Sequence, residues 1–339
     1  MPSLRELGEF EVLDRLKAER ASASAVTLGP GDDAAVVEPA AGMELVLTTD
    51  AFVEGVHYLP AWSAPLEVGA RLGCANLSDL AAMAARPRWA LLSIGAREDA
   101  SVDDLVEVQR GIQRVLGRHG AGVVGGNLTS VAGPQWLSLT LLGDVGKGRA
   151  WRRSGARAGD RLAVTGHPGR AGAGLALARR LGERARAPEW QTLVAAWLHP
   201  EPRVALAREL GDHGGVTGAI DISDGLAGDL AKLCEASGIG ARLMARDWAM
   251  DPEIERAAEA LGVDPVTLRL SPSDDYELLL AIDPERAASC QAVAAASGVA
   301  FAWIGLLTAD RGSIAIEDAS GAARTIVERG FDSFEPRGA

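Results

Sequence analysis

The chain has 339 residues and a formal charge of −12, from 34 Lys and Arg against 46 Asp and Glu. Its 47% hydrophobic and 24% charged residues are ordinary globular usage, which excludes a wholly disordered chain, and the length suits two domains. An acidic surplus of this size excludes a general nucleic-acid-binding face and docking on anionic membranes, because both need basic surface.

Taken in chain order, Leu4, Leu7, Phe10, Leu13 and Leu16 recur at helical spacing and predict a helix over 3–20. Strands are predicted near 34–38 and 44–50, an Ala/Leu helix over 65–85, a strand over 89–94 and a helix over 102–118. Val123-Val124 reads as a strand leading into Gly125-Gly126, and 136–145 as a further strand. Lys147 to Asp160 is rich in Gly and Arg without an apolar period, so it divides the chain into domains 1–148 and 149–339. In the second half, strand 161–165 turns into an Ala-rich helix, with helices near 189–198 and 202–211 after it. Strand 218–222, helix 224–237, strand 240–245, helix 252–261, strand 276–282, helix 284–296 and strand 299–307 complete the core. Strands and helices mixed in both halves predict two α/β (α+β) domains.

Cys74, Cys234 and Cys290 are far apart, form no C-x-x-C pair and sit among small or apolar neighbours. An odd count of this kind predicts buried, reduced thiols in a cytoplasmic protein. The first ten residues hold Arg5, Glu6 and Glu9 rather than an apolar stretch, so no signal peptide is expected. No apolar run is long enough to span a membrane. None of the lysines Lys17, Lys147 and Lys232 is followed by Ser or Thr, which excludes a Walker A loop.

The informative residues are acids where packing does not want them. Asp32-Asp33 precede a buried-looking strand, Asp50 ends another, and Asp79 lies i,i+3 from Asn76 inside an apolar helix. Asp221-Ile222-Ser223-Asp224 links a strand to a helix, and Asp274-Asp275 opens a strand. Each has a plain alternative: Asp221, Ser223 or Asp224 as a helix cap, Asp32-Asp33 as a turn, Asp50 as a loop acid. Taken together, converging carboxylates repel one another unless cations sit between them, and an oxygen-rich set poor in His and Cys suits Mg²⁺. Several such carboxylates suggest more than one Mg²⁺ holding a polyphosphate. Gly125-Gly126-Asn127 after a strand brings backbone N–H groups near an anion, and Lys147, Arg149, Arg152, Arg153 and Arg157 form a basic patch or a solvated linker.

Gly31-Asp32-Asp33-Ala34, Thr48-Thr49-Asp50 with Val53-Glu54-Gly55-Val56-His57, Asn76-Leu77-Ser78-Asp79, Gly125-Gly126 and Asp221-Ile222-Ser223-Asp224-Gly225 occur in one order. That series resembles the thiamine-monophosphate kinases, within the aminoimidazole ribonucleotide synthetase superfamily, from about Gly8 to Phe334. The resemblance implies an N-terminal mixed-sheet domain that binds ATP and Mg²⁺ and forms a barrel with a second subunit of a homodimer. It implies a C-terminal α/β domain closing the active site, and transfer of the γ-phosphate of ATP to thiamine monophosphate. By match, metal ligands are Asp33, Thr48, Thr49, Asp50, Asp79, Asp221 and Asp224, with Asp50 and Asp224 catalytic. Gly126, Asn127, Arg153 and Ser223 match ATP contacts; His57, Asp274 and Phe331 match substrate contacts.

Two segments depart from the family pattern. Asn127 stands where Asp is usual, and Pro272-Ser273-Asp274 where Gly-Gly-Glu is usual. The first drops a charge; the second stiffens a loop and shortens an acid by one methylene. The competing readings are another ATP-using member of the superfamily and a non-catalytic nucleotide- or thiamine-phosphate-binding protein.

Overall fold

The structure is a computed structural model that describes residues 2–19, 23–28, 34–245, 248, 251–318, 321–326 and 330–331. Contacts divide the chain into two compact units, residues 1–80 with 85–150, and 81–84 with 151–339. Mixed helices and sheets build both.

In the first unit, helix α1 (Leu4–Ala18) is followed by a short antiparallel ribbon of β1 (Val26–Leu28) and β2 (Val36–Val37). Then come β3 (Met43–Val53), α2 (Pro65–Ala82), β4 (Arg86–Ala96), α3 (Val102–Gly117), β5 (Gly122–Ser130) and β6 (Trp136–Gly146). The strands form a four-stranded sheet in the order β3-β6-β4-β5. Only β4 and β5 run parallel, joined by the crossover helix α3. The sheet is open, with β3 and β5 as its edges, so no closed barrel is seen among the described residues.

One face of this sheet buries Leu137, Leu139, Leu141, Leu92 and Ile94. Helix α2 lies on that face, bonding Thr48 and stacking on Phe52 of β3. The helices themselves approach closely through glycine: a Cβ on Gly111 of α3 would fall 2.0 Å from the Leu66 carbonyl oxygen of α2. The other face leaves Leu45, Leu47 and Leu91 at 43%, 62% and 41% exposure.

The second unit comprises β7 (Arg161–Thr165), α4 (Arg170–Leu181), α5 (Gln191–Leu198), α6 (Val204–His213), β8 (Val216–Ile222) and α7 (Leu226–Ser237). It continues with β9 (Gly240–Met244), α8 (Pro252–Leu261), α9 (Pro265–Leu270), β10 (Glu277–Ile282), α10 (Ala287–Ser297), β11 (Phe301–Thr308), β12 (Ile314–Glu317) and β13 (Ala323–Thr325). Its seven-stranded sheet has the order β13-β12-β9-β11-β7-β10-β8 and is antiparallel except between β9 and β12. Leu226, Leu230 and Leu233 of α7 pack with Val164, Ile220, Leu279 and Ile304 of the sheet in one core.

The long elements lie close to where the periodicity predicts them, but β3 runs three residues past the predicted 44–50, so Asp50 lies within the strand and does not end it. The structure adds β1, β12, β13 and α9, of three, four, three and six residues, each too short to show a period. It also carries β5 through Gly125, Gly126 and Asn127, which pair with Leu91, Leu92 and Ser93, so this segment continues the strand instead of following it. A Cβ on Gly126 would fall 1.9 Å from the Leu92 carbonyl oxygen. Close approach of β4 therefore accounts for that glycine without any ligand.

Gly111→Ala is expected to destabilise the protein by about 3 kcal/mol through overpacking against backbone. Gly133→Ala, with nothing within 4 Å of the new Cβ, is expected to stay within about 0.5 kcal/mol. Urea unfolding of both variants checks this.

Candidate active site

Strand β3 supplies the first group of site residues. Successive strand side chains point to opposite faces, and β3 alternates accordingly: Thr48, Asp50 and Phe52 lie on the helix-covered face and Thr49 on the other. The Thr48 hydroxyl donates to Asp79 Oδ2 of α2. Asp50 is half-buried between Thr48 and Phe52. Thr49 instead accepts from the Thr140 hydroxyl at 3.1 Å and donates to the Leu139 carbonyl at 3.3 Å, so its side chain is not with the carboxylates. Asp33 lies outside the described residues.

The ladder fixes where Gly126 and Asn127 sit. Asp50, Leu139, Leu92 and Gly126 form one row across the sheet, and Ala51, Ser138, Ser93 and Asn127 the next. Adjacent rows face opposite ways, so Asn127 is exposed on the face away from Asp50, at the other edge strand. The structure does not bring these two side chains together within the unit.

After β3 the chain turns back on itself and carries His57. Val56 N and His57 N both donate to the Val53 carbonyl, at 3.0 and 2.9 Å, and Gly55 N donates to the Tyr58 carbonyl at 2.9 Å. Val53 N donates to His57 Nδ1 at 3.1 Å, and the imidazole stacks on Phe52 with centroids 5.6 Å apart and planes 13° apart. Burial pushes the Tyr58 hydroxyl up to about 12, with Glu54 adding to the effect.

The second group surrounds the turn from β8 to α7. Asp221 is buried near the end of β8, opposite Leu278 of β10. The N-cap position of α7 is Gly225, so the capping reading of Asp221, Ser223 and Asp224 is replaced by another arrangement. The buried Asp229, one turn into α7, folds back and accepts from Ser223 N at 3.0 Å and Asp224 N at 2.9 Å. Lys232 donates to Asp224 and, at 2.8 Å, to Asp229. Burial raises the Asp229 pKa against the pull of Lys232. The same burial opposes charge on Lys232, but its bonds to the two acids win and raise its pKa. Phe331 N donates to the Asp224 carbonyl at 3.0 Å, and Tyr276 N to the Ile222 carbonyl at 2.8 Å. Asp221, Ser223, Asp224 and the Phe331 main chain thus gather around one turn, and Asp274 lies two residues before the Tyr276 bonded to it. Arg153 does not join them: its carbonyl accepts from Ser237 at the far end of α7, about 18 Å away at the rise of a twelve-residue helix.

The Pro272-Ser273-Asp274-Asp275 segment caps α4. Asp275 accepts from Gly169 N at 2.7 Å and Ala171 N at 3.0 Å, and Ser273 Oγ accepts from Gly172 N at 2.8 Å. The serine that departs from the family pattern is therefore tied to a helix N-terminus. Tyr276 follows with φ 54°, a strained value for a non-glycine residue. It is held by its bond to Ile222 and by Glu277, whose carboxylate accepts from Arg203 Nε and the Thr165 hydroxyl, each at 2.6 Å.

Sequence reasoning missed Asp229, Lys232 and Arg71. The i,i+3 spacing of Asp229 and Lys232 was the available signal for the first two. Arg71 is 2% exposed on the inner face of α2, and nothing in its neighbours Ala70 and Leu72 marks it. The three cysteines are free and buried, and burial pushes the Cys234 thiol up to about 11. Among the described residues no group of three or more His, Cys, Asp or Glu side chains is placed to hold a metal ion, and no helix is long and apolar enough to cross a membrane.

Residues 31–145 match the model of the AIR synthase related protein N-terminal domain, and residues 157–317 that of the C-terminal domain. A thiamine-monophosphate kinase of Escherichia coli K12 is 34% identical over 335 residues, covering 96% of this chain and 98% of the relative. The crystal structure of thiamine-monophosphate kinase from Stenotrophomonas maltophilia K279a aligns with a TM-score of 0.80 at 31% identity, covering 94% of this chain and 98% of that one. The structure of AaThiL complexed with AMPPCP and TMP aligns with a TM-score of 0.76 at 29% identity, covering 98% and 99%.

Burial pushes the Asp275 carboxyl from an ordinary 3.8 up to about 7; the Gly169 and Ala171 amides and the Ser273 hydroxyl pull it back, and Glu277 adds repulsion. The folded state then binds a proton that the unfolded state has released across that window. Its contribution is fully present below 3.8 and is lost as pH rises through about 7. Between about pH 5 and pH 8 the wild-type melting temperature is expected to fall more than that of Asp275→Asn. Parallel slopes would remove Asp275 as the cause.

Proposed function

The chain belongs to the thiamine-monophosphate kinase family, and on that premise we propose that it transfers the γ-phosphate of ATP to thiamine monophosphate, giving thiamine diphosphate. The observation that carries the reading is 34% identity over 98% of the Escherichia coli relative. The AaThiL chain complexed with AMPPCP and TMP supports ATP and thiamine monophosphate as the two substrates.

Mg²⁺ fits the donors present. Thr48, Asp50 and Asp79 offer only oxygen, and Asp79 already accepts from Thr48. We assign metal holding to Asp33, Thr48, Asp50 and Asp79 from residues 1–148 and to Asp221 and Asp224 from residues 149–339, with Thr49 contributing through its main chain. When bound, Mg²⁺ neutralises phosphate charge. Ser223 and Gly126 contact ATP, with Asn127 and Arg153 at its periphery. His57, Asp274 and Phe331 orient thiamine monophosphate.

The attacking group is a phosphate oxygen of thiamine monophosphate. With a second pKa of about 6 it is largely ionised at neutral pH, so no side chain need act as a general base. Bringing two anions into line is the difficult step, and fixed positioning by these residues supplies most of the acceleration. Transfer is direct, without a phospho-enzyme.

The exposed Leu45, Leu47 and Leu91 support a homodimer in which this sheet face meets the same face of a second copy and the two sheets close into a barrel. The three free, buried cysteines support a cytoplasmic location, where thiols stay reduced.

Incubated with ATP, Mg²⁺ and thiamine monophosphate, the purified protein is expected to form thiamine diphosphate; folded protein that forms none, while binding either ligand tightly, would establish the non-catalytic reading instead. Asp50→Asn is expected to lower kcat at least about tenfold, and an unchanged kcat would remove Asp50 from the metal site.

A further inference from the structure

We infer that Arg71 is a positioning residue for His57, and that it fixes the imidazole as a single N–H donor toward an acceptor atom of the substrate. The inference rests on the substrate-contact role proposed for His57.

A guanidinium at 2% exposure is costly to bury and must be compensated by its neighbours. Arg71 Nη1 donates to the His57 carbonyl at 3.1 Å. Its guanidinium carbon also lies 5.4 Å from the centroid of Phe52, within cation–π range. Phe52 in turn stacks on the His57 imidazole. Arg71 therefore holds both ends of His57, the carbonyl directly and the ring through Phe52.

The ring's remaining freedom is removed by Val53 N, which donates to Nδ1 at 3.1 Å. A neutral imidazole that accepts at Nδ1 carries its proton on Nε2. The partner of Nε2–H is consequently an acceptor, such as a phosphate oxygen or a ring nitrogen. Lysine in place of Arg71 can still reach the carbonyl with one N–H, but it brings no planar group over Phe52.

The test compares Arg71→Met, Arg71→Lys, His57→Ala and the Arg71→Met/His57→Ala double variant. Arg71→Met is expected to raise KM for thiamine monophosphate at least about fivefold, with kcat and KM for ATP within about twofold. Arg71→Lys is expected to recover part of that loss, and the double variant to be no worse than the worse single one. A wild-type KM in Arg71→Met beside a raised KM in His57→Ala would overturn the inference, as would losses that multiply in the double variant. A wild-type KM in His57→Ala would sink the substrate-contact role instead. Long-range ¹H–¹⁵N spectra of the histidines then judge Arg71 by itself. A lone Nε2–H signature for His57 that mixes with the other tautomer in Arg71→Met supports the inference; one that persists overturns it. Should Arg71→Met not fold, Arg71→Lys is read by the same KM split and the same spectra.

Discussion

The first unit depends on the two-residue period of β3. A helix lies on one face of that strand, the face that carries Thr48, Asp50 and Phe52. Asp79 and Arg71 of α2 meet Thr48 and Phe52 respectively. The helix therefore runs opposite to the strand and carries an acid at one end of the contact and a base at the other. That single packing arrangement places the oxygen donors and orders the His57 turn. The alternate residues form a surface of quite different chemistry, Leu45 and Leu47 beside the hydroxyls of Thr49, Ser138 and Thr140.

In the second unit the governing constraint is the demand of buried amides for acceptors. The strand-to-helix turns after β7 and β8 both leave backbone N–H groups pointing inward. Asp275 answers the first pair and Asp229 the second. Both acids are buried and bear raised pKa values from that burial. Because they do this work, Asp224 is not consumed as a cap, and its carboxylate lies at the turn with Lys232 as its counter-cation.

The long helices and strands were legible because their apolar periods run through ten or more residues, as in α3 and β6. The acids of the motifs were legible because they interrupt apolar segments. Their division of labour was not. Asp224 and Asp229 look alike in sequence, and only the fold-back of Asp229 onto Ser223 N and Asp224 N separates scaffold from site. Thr48 and Thr49 are adjacent and identical, yet the pleat sends them to opposite faces. The Gly125-Gly126-Asn127 segment reads as following a strand and offering N–H groups to an anion, but here the close approach of β4 explains Gly126 within the strand. Arg71 was invisible because a buried arginine has no local signature; its partners Phe52 and His57 lie nineteen and fourteen positions away in sequence (71 − 52 and 71 − 57).

The formal charge of −12 takes on a different meaning from these arrangements. If every acid of the motifs were uncompensated, the site would be a concentrated anion, hard to fold without its metal. Instead Asp224 has Lys232, Asp251 has Arg170, and Glu277 has Arg203, while burial raises the pKa of Asp275. Compensation within the second unit is thus largely local. Around β3 and α2, Asp79 accepts from a hydroxyl, and Arg71 donates to a carbonyl and lies over the Phe52 ring. Thr48, Asp50 and Asp79 offer oxygen alone from one strand face and the helix on it, a set that a bound divalent cation would stabilise further.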